Sequence, residues 1–141
     1  MIVIDTNVIS EIAKAVPDAN VADWLRRADP AELYLCAPVV AELAYGGQRI
    51  RLRDGSSRFL EALDGLLAGQ FNNRVLPFDQ GAALKFGEIR AARESSGRPI
   101  SVMDAMIAAI CAAHGATLAT RNVPDFNLLE IGVVNPFEAL R

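Results

Sequence analysis

One histidine and two cysteines in 141 residues close off several routes to chemistry before any motif is sought. A serine or cysteine triad would have to use His114, which stands beside Gly115 at the expected end of a helix, where a capping role suits it better. Cys36 and Cys111 lie far apart in apolar runs with no paired spacing, so two buried free thiols are expected rather than a disulfide or a thiolate metal site. Long hydrophobic runs are missing too. The longest charge-free stretch, Ala105 to Thr120, falls short of the roughly 20 apolar residues of a membrane span. No basic segment precedes an apolar core at the start, which argues against a signal peptide and leads to the expectation of a cytoplasmic protein with no membrane contact. Nor is there an excess of positive charge. A net charge of −3 offers no global attraction for nucleic acid, so any such contact must run through local basic patches and bound cations.

What the chain does have is apolar mass, 52% of its residues, in a length that suits one domain over positions 1–141. Ile2-Val3-Ile4 reads as a short strand buried on both faces, and further strands are expected at Leu33 to Cys36, Arg74 to Phe78, Thr117 to Ala119 and Ile131 to Val134. Between them fall helical patterns. The spacing predicts helices over Val8 to Ala15, after an Asn20 cap with Val21, Trp24, Leu25 and Ala28 on one face, and from Pro38 through Tyr45, where Gly46-Gly47 weakens or ends it. Others follow over Phe59 to Leu67, Gln80 to Arg93 behind an Asp79 cap with Ala83, Phe86, Ile89 and Ala92 recurring at helical spacing, and Val102 to His114. Strands alternating with helices imply an α/β fold, a central parallel sheet sandwiched by helices in three layers.

Three acids are set apart from the other charges. Asp5 closes the first strand, Glu42 is the sole charge between Glu32 and Arg49, and Asp104 is the only charge at neutral pH between Pro99 and Thr120. A helix as apolar as the one around Asp104 must be buried, and an ionised carboxylate buried without a partner costs several kcal/mol. Each acid also has a structural use. Ser101-Val102-Met103-Asp104 matches a capping box, Asp5 can serve as a turn or N-cap residue, and Glu42 lies past the first turn where it caps poorly. Taken together, each begins its segment near a strand end, and in a parallel sheet those ends share one edge. Three bare carboxylates there repel one another, and a divalent cation resolves the repulsion, with oxygen-only ligands favouring Mg²⁺ or Mn²⁺ over zinc. Such an ion activates water against a phosphodiester without any side-chain nucleophile.

Ile4-Asp5-Thr6-Asn7-Val8-Ile9-Ser10, Val40-Ala41-Glu42-Leu43 with Gly46, Leu76-Pro77-Phe78-Asp79, Asp104-Ala105-Met106-Ile107-Ala108-Ala109 and Thr120-Arg121-Asn122 with Asp125-Phe126 together resemble the PIN-domain family, in particular its VapC-type and FitB-like toxins. The likeness covers essentially the whole chain. It implies an α/β/α magnesium-dependent endoribonuclease, usually a homodimer, acting on RNA and held inactive by a cognate antitoxin whose C-terminal segment wraps the toxin. Asp5, Glu42 and Asp104 match the family's acidic positions. Its fourth acid falls at Asn122, whose amide oxygen can coordinate but carries no charge, and Asp125 is placed to stand in. Thr6 and Thr120 match positions that line the family's pocket. The Arg49 to Arg58 patch and the Trp24 face are candidates for the antitoxin or dimer contact.

Two other readings fit parts of the chain. A non-catalytic PIN-like binding module accords with Asn122 and the acidic balance. A phosphoacceptor receiver domain would use Asp79, but it wants a paired acid after the first strand and a late lysine, where this chain has Asp5-Thr6 and Arg121.

Overall fold

The computed structural model describes residues 1–139, so the last two residues of the span read as one domain lie outside the described part. Five parallel strands form the sheet: β1 (Ile2–Ile4), β2 (Leu33–Cys36), β3 (Val75–Leu76), β4 (Thr117–Ala119) and β5 (Val133–Val134). The helices are α1 (Thr6–Ile12), α2 (Ala19–Arg27), α3 (Ala37–Asp54), α4 (Arg58–Ala68), α5 (Gln80–Ser95), α6 (Val102–His114) and α7 (Val123–Phe126), with a 3₁₀ turn at Pro30–Glu32.

The strand order, β3-β2-β1-β4-β5, has a functional consequence. The chain builds outward from β1 to β3, then returns to the other side of β1 for β4 and β5. Right-handed crossovers put the helices of the two halves on opposite faces, which gives the expected three-layer α/β/α sandwich. Between β1 and β4 the direction of winding reverses, and the carboxyl ends of those strands open into the crevice where such sheets place ligands.

Burial on both faces explains the apolar strands: Val3, Ile4, Leu35 and Leu118 have no exposed surface. Helix α6 supplies the fully buried Ile107, Ala108, Ile110 and Cys111. Its ends fall where the sequence puts them. Ser101 Oγ accepts from the Asp104 amide (3.1 Å), and Gly115 takes the left-handed conformation (φ 63°) that terminates a helix without a Cβ clash. His114 Nδ1 lies 2.9 Å from the Ile110 carbonyl, in the last-turn contact expected of it. Both cysteines are free and buried, and burial pushes the Cys36 thiol up to about 12.

Several expectations need correction. Asn20 does not cap α2. Asp18 does, its Oδ1 accepting from the amides of Asn20 (2.8 Å) and Val21 (3.4 Å), while Asn20 Nδ2 donates to the Phe137 carbonyl. Helix α1 starts earlier and stops sooner than predicted, because Asp5 caps it. Strand β3 is shorter than Arg74 to Phe78, since Pro77 has no N–H to continue the ladder. On α5 the inward stripe is Ala82, Phe86 and Ile89, and Ala83 and Ala92 stand exposed. Trp24 packs half-buried against the core.

The largest departure is α3, which runs through Gly46-Gly47 to Asp54. Gly47 is a packing residue. A Cβ there would lie 2.6 Å from Leu60 Cδ2 and 2.8 Å from Phe59 Cδ1, so its absence lets α3 and α4 touch. Gly46, one residue earlier, has nothing within 4 Å of its would-be Cβ. The pair therefore separates two roles of glycine. Gly46→Ala is expected to stabilise the fold by about 0.5–1 kcal/mol through helix propensity, and Gly47→Ala to destabilise it by roughly 1–3 kcal/mol through overpacking, both read from urea unfolding midpoints. Equal effects at the two positions would refute this account.

Candidate active site

Asp5 leaves β1 at the crevice and is 4% exposed. Its backbone N–H still belongs to the sheet, donating to Ala119 at 2.9 Å, while its side chain turns to the first residues beyond. Oδ1 accepts from the Thr6 amide (2.8 Å); Oδ2 accepts from Thr120 Oγ1 (2.7 Å) and Asn7 Nδ2 (3.2 Å). Three donors fix this carboxylate, and about one of its roughly four lone-pair positions is left over. Thr120 is fully buried and also accepts from the Asn122 amide (3.0 Å), so the supporting role expected of it is a hydrogen-bonding one.

Glu42 arrives from the second turn of α3. Thr6 Oγ1 donates to its Oε1 at 3.0 Å, joining the start of α1 to α3. Asp104 stands in the first turn of α6, half-buried, on the wall of a cavity of about 210 Å³ that Arg93, Ser101 and Asp125 also line. The capping box is half made: Ser101 takes the Asp104 amide, which leaves the Asp104 carboxylate for the crevice. Asn122 precedes α7 without capping it, and Asp125 is exposed on that helix.

The electrostatics tie these positions together. Burial holds the Glu42 carboxyl above its usual range against the Thr6 hydrogen bond, and the carboxylates of Asp5 and Asp104 push it further up. Burial likewise raises Asp104, opposed by the Ser101 hydroxyl and reinforced by Asp5 and Asp125. No ion pair among the described residues includes Asp5, Glu42, Asp104 or Asp125. Asp5, Glu42 and Asp104 thus feel one another, and Asp125 acts on Asp104, with no ion pair to balance them. Among the described residues no three His, Cys, Asp or Glu side chains close on a single ion position. The donor set, carboxylate and hydroxyl oxygens in a half-buried cleft, suits a hard cation.

Two contributors were not read from the sequence. Asn7, which stood only within the opening motif, bridges the seam: its Nδ2 reaches Asp5 and Thr120 (3.3 Å), and its Oδ1 accepts from the Arg121 amide (3.1 Å). Arg93 joins the Asp104 cavity from the end of α5. Neither has a local signal for this role, since Asn7 also bonds Thr120 and Arg121 and Arg93 also bonds Asp125, all distant in sequence. The Arg49 to Arg58 patch lies apart, on the far half of α3 and beyond: Arg49 stacks over Tyr45 (5.6 Å) and Arg53 pairs with Asp54 (2.9 Å). Asp79, the residue a receiver domain would use, caps α5 through the Ala82 amide (3.0 Å) behind an edge strand. A second cavity, about 420 Å³ and almost wholly apolar, lies among Ile9, Leu25, Leu43, Phe59, Leu63 and Phe71. No helix among the described residues is long and apolar enough to cross a membrane.

Comparison with known proteins adds to this geometry. The family model described as PIN domain matches residues 2–126. A VapC ribonuclease of Sinorhizobium fredii is 38% identical over 138 residues, covering 98% of this chain and 99% of its own. Toxin FitB of Neisseria gonorrhoeae is 34% identical over 137 residues, covering 97% and 99%. The structure of FitAB bound to a DNA fragment superposes with a TM-score of 0.88 at 31% identity, covering 100% of this chain and 99% of that one.

The raised acids set a pH dependence. A carboxyl raised by folding holds its proton more tightly in the folded chain, so its ionisation opposes folding, and stability falls as pH climbs from about 4 through the folded value. In metal-free buffer Glu42→Gln is therefore expected to raise the melting temperature at pH 7, a gain that disappears below about pH 4, where the parent side chain is also neutral. A drop in melting temperature at pH 7 would show that Glu42 is a structural anion.

Proposed function

The chain belongs to the PIN-domain family, and on that premise we propose that it is a Mg²⁺-dependent endoribonuclease, the toxin of a toxin–antitoxin pair, working as one domain in the cytoplasm. The observation that carries the reading is the set of mutually repelling, half-buried acids without a cationic partner at the reversal point of the sheet. Asp5, Glu42 and Asp104 would hold Mg²⁺, with Mn²⁺ as a substitute. When bound, the ion supplies Lewis acidity toward a phosphate and lowers the pKa of water it carries.

The chain's own residues do the rest. Thr120 and Asn7 lock the Asp5 carboxylate in one orientation, and Thr6 holds Glu42 Oε1 toward the same crevice. Thr6 engages only Oε1 of Glu42, which leaves its other oxygen for the ion. Asn122 leaves one wall without the family's fourth charge, and Asp125 faces Asp104 across the neighbouring cavity as its replacement. Thr6 and Thr120 act on the acids and need not touch RNA.

The partner reading is a cognate antitoxin, and relatives of this chain have been solved as FitAB and VapBC complexes. An apolar segment of such a partner fits the 420 Å³ cavity, whose lining includes Ile4 and Leu43 but none of the acids. A homodimer reading rests on α5, where Ala83 and Gly87 leave small surface around Leu84, which is 66% exposed. The rival, a binding module with little cleavage, is favoured by Asn122 and by the acidic balance of the chain.

Purified chain with Mg²⁺ or Mn²⁺ is expected to cut single-stranded or loop RNA, and EDTA to stop it. Asp5→Asn and Asp104→Asn should each lower the cleavage rate by more than the roughly 10–100-fold lost with an outer-shell partner, with circular dichroism unchanged. Cleavage that persists in both variants would refute the assignment of the acids. An inactive but folded parent that still binds antitoxin would favour the binding module.

A further inference from the structure

The last turn of α5 carries an arginine whose hydrogen bonds all go to neutral groups, although two carboxylates share its cavity. Arg93 Nε donates to the Arg98 carbonyl at 2.6 Å, and Nη1 donates to the Asp125 carbonyl at 2.9 Å. The Arg93 carbonyl in turn accepts from the Arg98 amide (3.0 Å) and from Ser96 Oγ (2.9 Å), so the turn after α5 folds back onto this residue. Gly97 makes the reversal possible with φ +74°. A few residues on, Ser101 caps α6 and Asp104 follows in its first turn.

One planar guanidinium thus fastens two segments: the turn that leads to Asp104, and helix α7 that carries Asp125. These are two walls of the 210 Å³ cavity. Arg93 makes no ion pair with either acid. Its hydrogen-bonding capacity is directed at backbone carbonyls, which sets the separation of the walls while leaving both carboxylates free for a cation. Lysine cannot do this, since a single ammonium lacks the rigid fork that reaches two carbonyls in fixed directions. Packing already seats both segments, α6 along α5 and α7 through the buried Phe126, and the guanidinium adds a directed tie between them.

We propose that Arg93 is a positioning residue, a clamp that holds the Asp104 and Asp125 walls of the crevice at the spacing a divalent cation requires. The inference rests on the metal-dependent reading above, so its test reads metal affinity and cleavage separately. Mn²⁺ is titrated calorimetrically into the full chain and into Arg93→Ala, Arg93→Lys and, as a control on the same helix, Arg90→Ala. RNA cleavage then gives kcat and KM for each.

Arg93→Ala should bind Mn²⁺ roughly 10–100-fold more weakly and lose a similar factor in kcat, with KM little changed. Arg93→Lys should recover part of the loss, and Arg90→Ala should match the parent. If Arg93→Ala fails to fold, Arg93→Lys, which keeps the charge and can keep one of the two bonds, reads the same quantities. Unchanged Mn²⁺ affinity and kcat in the folded Arg93 variants would overturn the clamp. So would a raised KM at unchanged kcat and affinity, the mark of a direct phosphate contact. A parent that binds Mn²⁺ but cuts no RNA, with affinity lost on Arg93→Ala, would sink the nuclease reading and leave the clamp standing. A parent that binds no Mn²⁺ would sink both.

Discussion

The last rung between β1 and β4 is the bond from the Asp5 amide to the Ala119 carbonyl, and just past it the Thr120 hydroxyl donates to the Asp5 carboxylate across the same seam. The seam is also where the sheet reverses its direction of winding. Topology alone would open a crevice there; the Asp5 bonds decide what chemistry faces it. A buried carboxylate needs donors, and the chain supplies them from the first two residues of α1 and from the end of β4. Asp5 is therefore at once the cap of a helix, a tie between strands and the deepest acid of the cluster.

Around that fixed point the other acids are brought in at an electrostatic cost. Glu42 and Asp104 sit where burial and neighbouring carboxylates favour their protonated forms, in a chain that had surface available for them. The start of α6 softens this for Asp104, because a helix N-terminus carries partial positive charge. Glu42, a turn deeper in α3, has only the Thr6 hydroxyl. A fold optimised for stability would not gather these groups, and that departure is what marks the crevice as a place of function.

Much of this was legible in the residues. The bounds of α6 and β4 could be read because Ser101 and Gly115 are local signals that the structure uses locally. The acids stood out because charge is rare in apolar segments. The errors come from long-range effects. Gly46-Gly47 reads as a helix stop by propensity, but contact with α4 outweighs the propensity cost at Gly47. Asn20 was credited with a cap that the charged Asp18 makes better. Asn7 and Arg93 were missed for a related reason: beyond their near neighbours, Asn7 bonds to Thr120 and Arg121 and Arg93 to Asp125, which only the folded chain brings near.

The hollow between the helices of the first half has a consequence for how long the molecule survives. Its apolar lining lacks the dispersion contacts that a filled interior would give, so the free chain is under-packed at the junction of α1, α2, α3 and α4. Anything that fills the hollow only in the folded state adds stability by mass action, about 2.7 kcal/mol at a hundredfold excess over Kd. The filler is then a folding ligand as well as a partner. An occupant of that space would therefore slow the opening that exposes a chain to proteases.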